Sequence, residues 1–262
     1  MYADRQETSM PTIVVVLAGG LGTRLQPVLA DQPKVLAPVA GRPFLDYLLA
    51  HLRNQGIRQI VLSIGYLSSQ IKSYLGSGDR WGLRVSYVRE KQPLGTAGAL
   101  RKASQDLEEP FFGLNGDTLF LADFNKLWQA HRSNPGAASV CLKTAENPSQ
   151  RGRVKLDQSR RITSFEEKAG DDSARQSRWL VNAGLYVLEP RALVEVALGE
   201  TASIERQVFP ELARRGELYG QVQQAYFADI GTPESLATFE KDVLARTSAL
   251  QVLLDALDKT PA

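Results

Sequence analysis

Two cations near the start of this chain and two carboxylates where strands would end are of types that suit the handling of phosphate. The apolar run Ile13-Val14-Val15-Val16 leads into Leu17-Ala18-Gly19-Gly20-Leu21-Gly22-Thr23-Arg24-Leu25. A glycine turn after a buried strand lets backbone N–H groups wrap phosphate oxygens, because no Cβ blocks the approach. Arg24 adds a planar positive fork at the end of the loop. Pro33-Lys34 then supplies a second cation beside a stiff turn. Together these residues describe a pocket for a polyphosphate. The loop is neither of two better-known phosphate grips. No G-x-x-x-x-G-K-[ST] string exists, and the dinucleotide pattern G-x-G-x-x-G fails at Leu25, with Pro27 weakening a long helix from the loop.

Phe111 to Thr118 places Asn115-Gly116-Asp117 at the end of another apolar run. Ligands of open α/β sheets collect beyond the carboxyl ends of strands, so Asp117 points where the first loop points. One carboxylate opposite bound phosphates suits Mg2+, which takes few protein ligands and fills its octahedron with phosphate oxygens and water. The plainer alternative is a turn aspartate capping a helix near 123. Tyr226-Phe227-Ala228-Asp229-Ile230-Gly231-Thr232-Pro233 reads as strand end, turn and helix start. Thr232 is a natural N-cap and Pro233 a natural first helical residue, which leaves Asp229 without a structural explanation. It is the second carboxylate that could complete a metal site with Asp117. Glu167-Lys168 is either a solvated pair or an acceptor and an ammonium that hold a sugar hydroxyl beside a phosphate. Glu90 precedes Pro93-Leu94-Gly95-Thr96-Ala97-Gly98. Gly95 and Gly98 would let a flat ring approach, and Glu90 could accept from N1–H and the 2-amino group of guanine. An ordinary loop and helix start explains the same residues.

Positioning these groups requires a sheet. Strand patterns at 12–18, 59–64, 84–88 and 111–115 alternate with amphipathic helix patterns at 44–55, 68–75 and 96–106, which predicts βαβ units. Helix 44–55 carries Phe44, Leu45, Leu48, Leu49 and Leu52 on one face and stops at Gly56. The second half is more mixed, with strands at 137–142, 153–156, 161–165, 179–187 and 219–226 and helices at 203–215 and 233–246. Ser203 and Glu205 begin a polar first turn. Leu250, Leu253, Leu254 and Leu257 predict a last helix, either packed on the domain or touching another copy in a homo-oligomer. The expected division is a tail over 1–11, one α/β domain over 12–246 and a C-terminal helix over 247–262.

The bulk numbers narrow the classes. The 262 residues suffice for one large core, and a net charge of +2 is too small to argue for nucleic acid or an anionic membrane, so neither is expected as a partner. One cysteine, Cys141, excludes an internal disulfide and a cysteine metal cluster and reads as a buried apolar residue. The two histidines, His51 and His131, read as solvated helix residues. No run approaches the ~18 apolar residues that span a bilayer, and Met1 to Pro11 is polar, so a cytoplasmic protein is expected.

In their order and spacing, Leu17–Leu25 with Pro33-Lys34, Pro93–Gly98, Asn115-Gly116-Asp117, Glu167-Lys168, Asn182-Ala183-Gly184 and Asp229–Pro233 resemble the sugar-1-phosphate nucleotidyltransferases. Gly41–Leu48, Leu62–Tyr66 and Tyr226–Gly231 bring the likeness nearest to the D-glycero-D-manno-heptose 1-phosphate guanylyltransferases, then to the mannose-1-phosphate guanylyltransferases. Val35 departs from the proline that many members carry after the lysine. The resemblance implies a Rossmann-like α/β nucleotidyltransferase fold, a mixed, mostly parallel central sheet flanked by helices. It implies GTP, or another NTP, and a sugar 1-phosphate as partners and Mg2+ as cofactor. It places Leu17, Ala18, Gly19, Gly20, Gly22, Thr23, Glu90, Pro93, Gly95 and Thr96 at the nucleotide and Arg24, Lys34 and Asp117 at the reacting phosphates. Asp117 and Asp229 would hold the metal. Asn115, Gly116, Glu167, Lys168 and Asn182 would take the sugar phosphate. Three readings compete: a silent regulatory binder, which would be expected to lose Arg24, Lys34 or Asp117; a glycosyltransferase, which favours an Asp-x-Asp pair; and a dinucleotide oxidoreductase, disfavoured by Leu25.

Overall fold

The structure is a computed structural model that describes residues 9–20, 22–29, 31–146, 152–166 and 178–259. Its first half carries strands β1 (Ile13–Ala18), β2 (Pro38–Val39), β3 (Arg42–Pro43), β4 (Gln59–Ile64), β5 (Arg84–Arg89), β6 (Phe111–Asn115) and β7 (Thr118–Phe120). Between and after them run helices α1 (Gln26–Leu29), α2 (Phe44–Asn54), α3 (Ser68–Leu75), α4 (Gly95–Ala103) and α5 (Phe124–Arg132). The second half adds β8 (Ala138–Ala145), β9 (Arg153–Leu156), β10 (Ile162–Glu166), β11 (Trp179–Leu188), β12 (Leu218–Val222) and β13 (Phe227–Asp229). Helices α6 (Phe209–Arg214), α7 (Pro233–Leu244) and α8 (Gln251–Asp258) complete it.

Nine strands form one sheet in the order β10-β9-β11-β6-β1-β4-β5, with β8 on the opposite edge of β11 and β12 beyond it. Ladders among β5, β4, β1 and β6 are parallel, as is β12 on β8. Antiparallel pairing enters with β11 and with the β9–β10 hairpin. The mixed, mostly parallel sheet flanked by helices is therefore present. Helices cover both faces, which is why β1 reads as an unbroken apolar run. Val14 and Val16 point into the core shared with α2, α3, α5, α7 and α8, while Val15 points into the core shared with α4 and α6. Each such side chain contributes about 1.5–3 kcal/mol by leaving water.

Helix α2 closes in a Schellman motif: Gly56 N–H donates to the Arg53 carbonyl and Ile57 N–H to the Leu52 carbonyl. One apolar face was expected on it, yet every residue from Phe44 to Leu52 is buried. The second face is covered by α8, whose Leu253, Leu254 and Leu257 join the same core. The last helix is thus packed on the domain rather than appended to it. At the other end, Met10 packs partly buried against this core, so the expected loose tail does not extend through residue 10. Residues 1–8 lie outside the described ones.

Two expected elements divide. Instead of one helix over 203–215, a π turn spans Ile204–Val208 and α6 follows. An α-helix from residue 204 would ask Pro210 to donate to the Arg206 carbonyl, which proline cannot do; α6 instead restarts at Phe209, so Pro210 falls in its first turn, where no N–H is needed. The strand expected over 219–226 ends at Val222. Gln223 then clamps Asp123, accepting from its N–H at 2.8 Å and donating to its carbonyl at 2.9 Å, and the chain leaves β8 for β7.

Cys141 is buried as expected, and burial pushes its thiol up to about 12. The histidines differ from expectation: both are buried, because α2 and α5 are covered on more faces than their own periodicity shows. His131 Nδ1 lies 2.9 Å from Ser139 Oγ and its Nε2 3.4 Å from Glu189 Oε1. This Ser-His-Glu cluster joins α5 to β8 and β11 in the core, where no substrate reaches it. His51 packs edge-on against Phe124, and burial, opposed weakly by hydrogen bonds to backbone, pushes it down to about 4. Its lowered pKa means that the unfolded chain binds the proton more tightly. The stability it protects is complete above about pH 6.5 and is lost as pH falls toward 4, by about 3 kcal/mol. Asp46 acts oppositely, since burial raises its carboxyl above the usual range. Comparing urea unfolding of wild type and His51→Gln at pH 7 and pH 4 isolates the histidine. The wild type is expected to lose more stability on acidification, and equal losses would refute the assignment.

Candidate active site

The glycine loop, the β6 end and the loop into α4 enclose a cleft at the carboxyl ends of β1, β4 and β6. It has two lobes. The first, about 320 Å³, is lined by Leu17, Ala18, Gly19, Gly20, Lys34, Val35, Glu90, Pro93, Gly95, Thr96, Ala99, Asn115 and Asp117. The second, about 460 Å³, takes Arg24, Asn182, Glu205, Arg206 and Asp229 into its wall. Gly95, Thr96, Asn115 and Asp117 line both, so the lobes meet at Asp117.

Most of the predicted residues converge here. Lys34 Nζ lies 2.5 Å from Asp117 Oδ2, and the lysine side chain is only 14% exposed. The β7–β13 ladder sets Asp229 opposite Thr118, and Ile230 N–H donates to the Asp117 carbonyl at 3.0 Å. Asp117 and Asp229 thereby share one wall although 112 positions separate them in the chain. Asp117 is not a helix cap: Asp123 caps α5 by accepting from Lys126 N–H. Thr232 caps α7 and Pro233 opens it, as the sequence predicts. Arg24 is exposed and lines the second lobe, beside Asp229 and Gly231, not the lobe of Gly19 and Gly20.

The glycines do more packing than expected. A Cβ at Gly19 would overlap Glu90 Oε1, so this position must be bare for the loop to close over the Glu90 carboxylate. Glu90 accepts from Ser63 Oγ at 2.9 Å and from Leu94 N–H at 3.1 Å, and it still lines the first lobe. The bare positions at Gly95 and Gly98 make room for the chain itself, although Gly95 also lines both lobes. A Cβ on either would overlap the carbonyl of Ala202 or Glu200, which dock the 200–202 segment onto α4. Thr96 Oγ1 donates to Glu205 at 2.7 Å and accepts from Ile204 N–H at 2.8 Å. Gly22, Thr23 and Gly116 line neither lobe: Gly22 sits against the Lys34 side chain, Thr23 is exposed, and Gly116 N–H donates to the Leu17 carbonyl at 2.9 Å. Glu167 and Lys168 lie outside the described residues.

Asn182 is held where β11 loses register, between Asn182 and Tyr186. Its Oδ1 accepts from Gly184 N–H and its Nδ2 donates to Tyr186 Oη, both at 2.9 Å. Below this irregularity β11 pairs with β9, and above it with β6, so the bulge opens the sheet beneath the second lobe. Sequence reasoning missed Glu205 and Arg206 as lining residues. The only available signal was the polar start of a helix, and that signal did not say which way the turn faces.

Residues 13–246 match the family model described as nucleotidyl transferase. The chain belongs to the nucleotidyl transferase family. Within it, the chain is 36% identical over 233 residues to a mannose-1-phosphate guanylyltransferase of Mycobacterium tuberculosis, covering 88% of this chain and 64% of that relative. It thus spans less than two thirds of that relative's length. It is 34% identical over 230 residues to a D-glycero-alpha-D-manno-heptose 1-phosphate guanylyltransferase of Aneurinibacillus thermoaerophilus, covering 87% and 97%. The crystal structure of HddC from Yersinia pseudotuberculosis superposes with a TM-score of 0.76 at 30% identity, covering 88% of this chain and 99% of that one. The same neighbour was also solved in complex with GMP-PN. The family resemblance and the fold drawn from the motifs are borne out. Among the described residues no helix is long and apolar enough to cross a membrane.

Proposed function

We propose that this chain transfers GMP from GTP to a sugar 1-phosphate of the manno or heptose type, giving a GDP-sugar and pyrophosphate. One observation carries the reading: the two lobes meet at Asp117, within reach of Lys34, so that two phosphate-bearing substrates would present their phosphates to each other there. The first lobe, with its glycine loop, suits the nucleotide. Glu90 spends one acceptor site of each oxygen on Ser63 and Leu94, which leaves capacity for the two donors on the guanine edge. The names of the relatives and the GMP-PN complex of the Yersinia neighbour support guanine.

In the proposed step an oxygen of the sugar phosphate attacks the α-phosphorus of GTP. The bond from that phosphorus to the bridging oxygen breaks, and pyrophosphate leaves with the electron pair. The nucleophile is already an anion, so no general base is needed, and the difficulty is to bring two anions together. Arg24 and Lys34 meet it by fixed positive charge, and the glycine loop by backbone donors. Asp117, just before β7, and Asp229, on β13, fit Mg2+: the two carboxylates share a wall, and an ion that takes few protein ligands would complete its shell with phosphate oxygens and water. When bound, Mg2+ supplies charge neutralisation between the phosphates. The test incubates the protein with each NTP, Mg2+ and a panel of sugar 1-phosphates and measures pyrophosphate. Release with GTP and a manno-configured acceptor is expected. Release with UTP or dTTP alone would overturn the guanylyl reading.

A further inference from the structure

We infer that Glu205 is a specificity-determining residue of the second lobe, where its free carboxylate oxygen accepts a ring hydroxyl of the acceptor sugar. The inference rests on the function proposed above and adds a residue to it. Glu205 lies in the π turn that precedes α6, and it lines the lobe that also holds Arg24, Asn182 and Asp229. Two hydroxyls converge on one of its oxygens: Thr96 Oγ1 donates to Oε2 at 2.7 Å and Ser203 Oγ at 2.9 Å. Oε1 has no hydrogen-bond partner among the described residues. A carboxylate offers about four acceptor sites, and anchoring Thr96 and Ser203 uses two, both on one oxygen. The anchored side keeps the group from turning, and the other side is left to accept.

The charges of the lobe sort its ends. Arg24 attracts the phosphate, whereas the negative Glu205 repels it and attracts hydroxyl protons. Asn182 offers only a neutral acceptor that is already half used. Its carbonyl oxygen is engaged by Gly184 N–H and one amide hydrogen by Tyr186 Oη. The described wall therefore offers Glu205 as a charged hydroxyl acceptor whose other oxygen is already anchored.

The test compares wild type and Glu205→Gln with the parent sugar 1-phosphate and with monodeoxy analogues lacking each ring hydroxyl in turn. The glutamine keeps an oxygen for Thr96 and Ser203. With the parent sugar, kcat/KM is expected to fall about 10- to 100-fold, while the KM for GTP stays within about twofold. For one deoxy analogue the two proteins should converge, because the hydroxyl that Glu205 accepts is gone. A loss of equal size across all analogues, or a parallel rise in the KM for GTP, would show that Glu205 only anchors α4 and would overturn the inference. If Glu205→Gln fails to fold by circular dichroism, Glu205→Asp replaces it. The aspartate keeps the charge but shortens the reach, and it should blur the same hydroxyl preference; an unchanged preference would refute the role. Wild type that turns over no NTP and sugar 1-phosphate pair would overturn the proposed function itself, and this assignment with it.

Discussion

Replacing Asp117 by asparagine is expected to slow pyrophosphate release by about 30- to 1,000-fold while the protein stays folded. The substitution keeps the size of the side chain and removes its charge at the point where both lobes meet. It costs little stability, because the Asp117 side chain is 38% exposed and its ion pair with Lys34 is partly open to water. The chemistry loses more, since this carboxylate holds Lys34 in place and, in the proposed reaction, shares the metal with Asp229. Steady-state turnover and thermal unfolding measured together check the result. Near-normal turnover in a folded variant would sink the metal assignment, and unfolding would show that the residue is structural.

The second large effect belongs to Lys34. Its stem packs beneath Gly22, and its ammonium faces Asp117. Lys34→Met refills the stem with apolar atoms and removes the cation, so the fold should survive. What remains where the lobes meet is Asp117 without its cation, and Arg24 on the wall of the second lobe cannot replace an ammonium that faced that carboxylate. Turnover is expected to fall by about 30- to 1,000-fold, with weaker nucleotide binding alongside. Because the two residues form one pair, the Asp117→Asn and Lys34→Met losses should not multiply in the double variant. Titration of GTP and turnover across the four proteins decide this. Multiplying losses would mean that lysine and aspartate act on different steps.

Much of this molecule is written locally. The apolar runs of β1, β4 and β6, the periodicity of α2, the stop at Gly56 and the cap at Thr232 depend on neighbours a few positions away, and each is found near its expected place. That Arg24, Asp117 and Asp229 converge on the cleft was legible for a related reason. A charge at the end of a buried strand has no structural duty, and the sheet delivers such ends to one edge. What periodicity misled about was burial and partners. The burial of His51 and His131 depends on which other elements cover α2 and α5. Gly98 read as space for a ligand and turned out to be space for the 200–202 backbone, and Gly95 serves that backbone while also lining the cleft. Glu205 gave no warning because an acid in the first turn of a helix is ordinarily solvated.

By itself, then, the sequence determined the family, the α/β alternation and the charges that a phosphate-handling site needs, because these follow from short-range periodicity, capping and residue type. Only the tertiary structure decided how those charges are shared out. The exit of the chain from β8 at Gln223 pairs β13 with β7 and so carries Asp229 to Asp117. The loss of register in β11 opens the second lobe, and the π turn before Pro210 aims Glu205 into it. Each of these depends on contacts between distant segments, formed when the sheet closes, and no local pattern of residues records them.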